Sequence, residues 1–356
     1  MQWVLYLVVP LVLSTLITPL INRIGIKLDI YAHTNERTIH HGKIARVGGI
    51  AIYVAFILSM TFFNDAIDDA FRGLLIGSTI MFIGGLIDDM VDLKPILKIG
   101  FQVLAAYILI KVGGVELGVI YLPFGIVINM GVVSFLVTFI WIIGISNAIN
   151  LIDGLDGLAG GVTTIVFLTI AAISIADDRP DIAMISLLIA GATLGFLFFN
   201  FHPAKIFMGD CGALFLGFVV AAISLMGFKG STFITLGFPM LLLSVPIVDT
   251  LSAIVRRTFS GKKFTDADKG HFHHVLMRRF GHRNTVLIIY AITMSFGVVA
   301  YIYILNQKLG LLCVALLFVG LEIFLETSQM ISPKYHPLLS IYRLLFRKND
   351  KNDKEQ

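Results

Sequence analysis

Eleven apolar runs, each near the length a helix needs to cross a lipid bilayer, constrain this chain more than any single motif. They fall near residues 2–22, 46–64, 72–87, 96–112, 130–150, 157–175, 181–200, 210–228, 232–256, 285–304 and 309–327. About 20 apolar residues span the hydrocarbon layer as a helix. Inside lipid, every backbone N–H and C=O must be paired within its own segment, which helices achieve. The runs therefore predict an all-α polytopic membrane protein with about 11 transmembrane helices. Charged residues make up only 14% of the chain against 57% hydrophobic, where a soluble domain carries about a quarter charged. The two cysteines, Cys211 and Cys313, form neither a disulfide framework nor a zinc spacing and read as inert thiols.

The distribution of Lys and Arg orients the runs. No basic segment or small-residue cleavage site precedes the first run, and Arg23 and Lys27 follow it. It reads as a retained span with the N-terminus outside, not as a signal peptide. With that start, 22 of the 27 Lys and Arg residues fall on the cytoplasmic side, as the positive-inside rule requires. All nine histidines fall on the same side without having entered the assignment. An odd number of spans leaves the C-terminus cytoplasmic. Residues 1–330 read as one integral membrane domain, and 331–356 as a basic cytoplasmic tail whose end is disordered. The net charge of +4 reads as anchoring to anionic lipid, not as a nucleic-acid footprint. Short β-prone runs between glycines suggest a small outer hairpin near 113–125.

Against this apolar background, polar clusters stand out at the cytoplasmic ends of the spans. Residues 147–161 place Asn147, Asn150, Asp153 and Asp156 among glycines at the end of an apolar run. Carboxylates at a membrane boundary are expensive to keep, and one helix cap would need only one of them. Three residues apart, Asp153 and Asp156 would share a face of a helix. The glycines beside them would let the backbone approach a ligand closely. Asp88 and Asp89 follow Gly84-Gly85, and adjacent aspartates call for a cation. An internal control is Asp68-Asp69, an outer pair with no His or Lys cluster around it, which reads as a solvated flank. Lys43 and Arg46 lie in a basic loop leading to Gly48-Gly49, suited to phosphate or simply to inner-face flanking. Asp210, between Gly209 and Cys211 before a long apolar run, is either a metal ligand or an N-cap. Asp249 is an intramembrane carboxylate. His271, His273 and His274 sit among Lys and Arg, an arrangement better suited to a diphosphate than to zinc.

Several carboxylates for a metal, cations for phosphate and surrounding apolar spans fit transfer of a phosphosugar from a soluble nucleotide sugar to a membrane lipid phosphate. A transporter is the alternative from another class. Its site would lie near the bilayer midplane, often between repeats, whereas these clusters lie at span ends and no repeat is visible.

Taken in order, Gly48-Gly49, the stretch 84–89, the stretch 147–161, Met208-Gly209-Asp210, the stretch 246–250 and His271-Phe272-His273-His274 resemble the polyprenyl-phosphate N-acetylhexosamine-1-phosphate transferase family. The resemblance spans nearly the whole chain. The interrupted histidine run is more similar to the undecaprenyl-phosphate GlcNAc-1-phosphate branch, which initiates teichoic acid or O-antigen, than to the phospho-MurNAc-pentapeptide translocases of peptidoglycan synthesis. The resemblance implies UDP-GlcNAc and undecaprenyl phosphate as substrates, Mg²⁺ (or Mn²⁺) as cofactor, a site on the cytoplasmic face of the bacterial inner membrane, and a homodimer. It implies Asp210 and Asp153 as metal ligands and Asp88, Asp89 and Asp156 as catalytic residues, with Asp88 the candidate base. It assigns Asn150, Asp249, His271, His273, His274, Arg46 and Lys43 to substrate binding. Direct attack by the lipid phosphate and a covalent aspartyl route are both compatible with these residues.

Overall fold

The computed structural model describes residues 2–31, 44–63, 68–121, 126–227 and 272–327. The expected span 232–256, together with Lys43, Asp249, His271 and the tail, lies outside the described residues. His273 and His274 are described only as part of a helix backbone.

Eleven α-helices are formed by the described residues: α1 (Gln2–Lys27), α2 (Gly49–Phe63), α3 (Asp69–Val91), α4 (Pro95–Lys111), α5 (Ser134–Ile152), α6 (Leu158–Ala176), α7 (Pro180–Asn200), α8 (Gly209–Gly227), α9 (Phe272–Phe280), α10 (His282–Leu305) and α11 (Gln307–Thr327). All but α9 lie on an apolar run recognised in the sequence. Eight of the described helical segments are long and apolar enough to cross a bilayer. The 15-residue α2 and 17-residue α4 are shorter. The amphipathic α9 was not expected. It has nine residues and carries Arg278 and Arg279 in its last turn. The chain is a multi-pass helical membrane protein with little sheet.

The sheet consists of β1 (Val119–Tyr121) and β2 (Val127–Asn129), paired antiparallel with Ile120 opposite Ile128. The pair sits partly beyond the segment 113–125 in which a hairpin was expected.

Helix α8 is the axis of the fold. It is packed by α2, α3 and α5, and Phe215, Phe218, Val219 and Ala222 along it are fully buried. Around it α1 packs on α7, α7 on α6, and α6 on α10. The outermost helix, α11, turns Leu309, Leu312, Leu316, Val319 and Ile323 outward, an apolar face suited to lipid. Several hydroxyls inside the spans are satisfied locally. Thr18, Ser59, Thr163 and Thr193 each donate to the carbonyl four residues back, at 2.7–2.8 Å. This pairing is the one available where no water reaches.

Gly85 and Gly49, beside the Asp88-Asp89 pair and the basic loop, act in helix packing. A Cβ on Gly85 would collide with the Asp210 backbone, and one on Gly49 with the backbone of Gly212. Without side chains there, α3 and α2 close directly on the first turn of α8.

Candidate active site

The site is built at the head of α8. The first N–H groups of a helix have no partner within it, and in most helices a residue just before the helix accepts from them. Here the acceptor comes from another span. Asp89, on the last turns of α3, accepts from the backbone N–H of Asp210 through Oδ1 and of Cys211 through Oδ2, both at 2.9 Å. Its side chain is fully buried. Asp210 is therefore not the N-cap. It lies within the first turn of α8, with its own side chain free to face outward from the helix. Gly209 before it has φ +76°, and a Cβ there would strike both the Arg46 carbonyl and the Asp89 carboxylate.

Asp210 is held between two cations. Its Oδ1 accepts from Arg46 Nη2 at 3.0 Å and its Oδ2 from Lys98 Nζ at 3.1 Å. Lys98 also pairs closely with Asp88 Oδ2, and the other Asp88 oxygen accepts from the Leu93 N–H at 2.7 Å. Arg46 reaches Asp89 as well, at 3.4 Å. The Arg46 and Lys98 side chains keep 39% and 32% of their surface exposed, whereas Asp88 keeps 1%. The cationic heads are thus the part of this cluster that an incoming anion can reach.

Backbone contacts fix Arg46 in place. Its N–H donates to the Ile30 carbonyl at 3.2 Å, while its neighbours pair with the segment leading into α8: Phe207 N–H to Ala45 O at 2.9 Å, Gly48 N–H to Phe207 O at 2.9 Å and Gly49 N–H to Met208 O at 2.8 Å. Burial pulls the guanidinium pKa down, but Asp89 and Asp210 beside it outweigh burial and hold it above its usual range.

Asp153 and Asp156 do not share a helix face. Helix α5 ends at Ile152 and α6 starts at Leu158, so both aspartates lie in a turn. Asp153-Gly154 and Asp156-Gly157 break the helix there, with Gly157 at φ +79°. The two side chains separate. Asp153 feels Asp210, Asp89 and Arg46; burial first, then the neighbouring carboxylates, push its pKa well above the ordinary range. Asp156, buried, instead accepts from the Ala204 N–H at 3.1 Å and lies 2.8 Å from His202 Nδ1. Asn200 completes the junction: it accepts from Gly157 N–H at 3.1 Å and donates to the Ile206 carbonyl at 2.9 Å. Asn150 is half-buried on the last turn of α5. Asn147 pairs its amide with Gln102, at 2.8 and 3.2 Å, and so joins α5 to α4.

The structure thus gathers Arg46, Asp88, Asp89, Asp153 and Asp210, five residues singled out in the sequence, and sets Asp156 to one side. It adds Lys98, His202 and His282, which the sequence analysis counted only as cytoplasmic charges and histidines. A lone lysine one turn into an apolar helix, beside the Asp88-Asp89 pair, was a usable signal for Lys98. The two histidines carried none, because they come together from distant segments. The control pair behaves as the sequence suggested: Asp68 accepts from Phe71 N–H at 2.8 Å to cap α3, and Asp69 is exposed beside Arg72.

Comparison with known proteins is in keeping with this geometry. A family model described as glycosyl transferase family 4 matches residues 71–228, which hold Asp88, Asp89, Asp153, Asp156 and Asp210. A probable undecaprenyl-phosphate N-acetylglucosaminyl 1-phosphate transferase of Bacillus subtilis is 35% identical over 347 residues, covering 96% of each chain. A decaprenyl-phosphate N-acetylglucosaminephosphotransferase of Mycobacterium tuberculosis is 37% identical over 77% of this chain and 75% of its own. A phospho-N-acetylmuramoyl-pentapeptide-transferase of Streptococcus uberis is 31% identical over 64% of this chain and 71% of its own.

Proposed function

Because the chain belongs to glycosyl transferase family 4, we propose that it transfers N-acetylglucosamine-1-phosphate from UDP-GlcNAc to undecaprenyl phosphate, giving undecaprenyl-diphosphate-GlcNAc and UMP. This is the first membrane step of a cell-envelope glycopolymer such as teichoic acid or O-antigen. The site faces the cytoplasm across the inner membrane, the side that holds 22 of the 27 Lys and Arg residues.

The observation that carries this reading is Asp210 at the head of a buried helix, clamped by the half-exposed Arg46 and Lys98 and faced by Asp88. Four carboxylates (Asp88, Asp89, Asp153 and Asp210) against two cations carry a formal charge of −2 once all are ionised, and the available donors are oxygens. That set fits a hard divalent ion, Mg²⁺ or its substitute Mn²⁺. Asp210 and Asp153 would hold it. When bound, the ion supplies positive charge that offsets the repulsion between two phosphate-bearing substrates.

The chain's own residues do the rest. An oxygen of the lipid phosphate attacks the β-phosphorus of the donor. The bond from that phosphorus to the oxygen bridging to UMP breaks, and its electron pair leaves with UMP. A phosphomonoester is mostly dianionic at neutral pH, so the acceptor needs no strong base. Asp88 acts by orienting Lys98 toward the acceptor phosphate. Asp89, with both oxygens engaged by backbone amides, is a positioning residue for Asp210. Arg46 and Lys43, with His271, His273 and His274, bind the donor diphosphate. By the resemblance, Asn150 and Asp249 are assigned the remaining substrate contacts, whereas Asp156, buried against His202 and the Ala204 N–H, is not.

The test is UMP release by the purified full chain. Release that requires UDP-GlcNAc, undecaprenyl phosphate and Mg²⁺ together supports the proposal. Release with UDP-MurNAc-pentapeptide in place of UDP-GlcNAc would move the protein to the translocase reaction. Silence of folded protein with every UDP-sugar would overturn the transferase chemistry.

A further inference from the structure

Asp156 lies apart from the carboxylate centre and keeps different company. It sits in the turn between α5 and α6, His202 in the connector between α7 and α8, and His282 at the first position of α10. One ligand atom from each of the three residues lies within 4.8 Å of the others. Asp156 is buried at 6% exposure. His202 Nδ1 is 2.8 Å from Asp156 Oδ2, and the two imidazole rings stack with centroids 4.3 Å apart and 19° between planes.

The chemistry of this trio differs from that of the Asp210 centre. Two imidazoles and one carboxylate form a borderline donor set, which favours zinc-class transition metals over magnesium. Bonds of about 2.0–2.2 Å put the ligand atoms of a tetrahedral zinc ion roughly 3.3 Å apart. The present spacing needs side-chain shifts of about 1 Å to reach that, well within the reach of half-buried histidines. One metal ion would take a nitrogen from each ring and an oxygen from the carboxylate.

We propose that Asp156, His202 and His282 form a second metal site, selective for zinc-class ions, separate from the Mg²⁺ centre. The ion takes the place of the hydrogen bond between His202 Nδ1 and Asp156 Oδ2, and the neutral His202 ring keeps its one proton on Nε2. Occupancy ties the α5–α6 turn, the α7–α8 connector and the start of α10 into one unit. That turn also carries Asp153, so occupancy slows transfer. The binding stands independently of the transferase reading; only this slowing rests on it.

The test uses Co²⁺ as a spectroscopic probe on the purified full chain in saturating Mg²⁺. The site predicts one Co²⁺ per chain with the visible bands of a mixed nitrogen and oxygen site. The bands should vanish in His202→Gln and in His282→Gln and persist in His273→Ala. Bands that survive both glutamine variants, or that vanish in His273→Ala, would overturn the assignment, as would no Co²⁺ binding by the wild type. X-ray absorption of the zinc-loaded wild type needs no variant. Two imidazoles support the site, and three or more would place the ion on the 271–274 run instead. For the consequence, UMP release by the wild type should fall at least tenfold with added Zn²⁺, and His282→Gln should resist. Co²⁺ binding at the site without inhibition would leave the metal site standing and remove only its effect on transfer.

Discussion

Replacing Asp89 by Asn separates a positioning role from a chemical one. In the wild type, its two oxygens accept from two successive N–H groups at the head of α8, and Arg46 reaches the same carboxylate. An asparagine offers one oxygen and turns an N–H₂ group toward the second backbone N–H. One amide of a fully buried helix end is then unsatisfied, which costs about 1–3 kcal/mol. Each 1.4 kcal/mol is about tenfold in an equilibrium, so the folded population of the head of α8 falls by roughly 5- to 150-fold relative to its frayed form. Asp210, next to the frayed amide, loses its placement between Arg46 and Lys98. The expected result has three parts: a lower Tm in detergent, a fall of at least tenfold in UMP release, and an unchanged pH profile for the remaining activity. Asp89→Ala should lower the Tm further, since it satisfies neither amide. If Asp89→Asn abolishes turnover while the Tm stays at the wild-type value, the positioning argument is wrong and Asp89 acts on substrate.

Four other outcomes follow from the same geometry. Lys98→Met removes the cation shared by Asp88 and Asp210; UMP release should fall, while the Mg²⁺ concentration for half-maximal activity drops, because the carboxylates lose a competing positive charge. Asp153→Asn should leave the metal-free protein as stable or more so, while UMP release falls at least a hundredfold, measured by thermal unfolding in EDTA beside the assay. The same variant tests the sign of the Asp153 titration. A carboxyl whose pKa is raised in the folded state binds a proton that the unfolded chain has already lost, so its contribution is present at low pH. That contribution disappears as pH rises from the ordinary carboxylate value of 3.8 toward the raised one, and this part of the Tm–pH slope in EDTA should vanish in Asp153→Asn. Gly85→Val places a side chain against the Asp210 backbone and should give poorly folded protein by size-exclusion chromatography, with Gly85→Ala intermediate.

Where the sequence was informative and where it was silent follows from the range of the interactions. Spans were legible because the bilayer imposes the same length and apolarity on each helix, whatever it packs against. Asp88, Asp153 and Asp210 were legible because an ionisable group at a membrane boundary is costly enough to need a reason. Their mutual arrangement was not. Asp153 and Asp156 looked like one helix face, yet two Asp-Gly steps turn the chain there and send the side chains to different partners. Asp210 looked like a possible cap, but the cap is Asp89, 121 residues earlier. Gly49 and Gly85 gave no hint in the sequence that another helix would fill the space beside them. In each case local pattern identified the residue and tertiary contact decided its use.

The sharing of one helix end between α3 and α8 bears on how the protein is made. As the nascent chain emerges, α3 reaches the bilayer with Asp88 and Asp89 near its end, long before the amides that receive Asp89 exist. More than a hundred further residues must be synthesised before Asp210 and Cys211 arrive. Until then, Asp88 can already pair with Lys98 and the Leu93 N–H, but Asp89 has only Arg46. Insertion of α8 supplies the two missing backbone donors. Biogenesis and activation therefore converge on one late event, and chains truncated before α8 should be those that the membrane quality-control proteases remove.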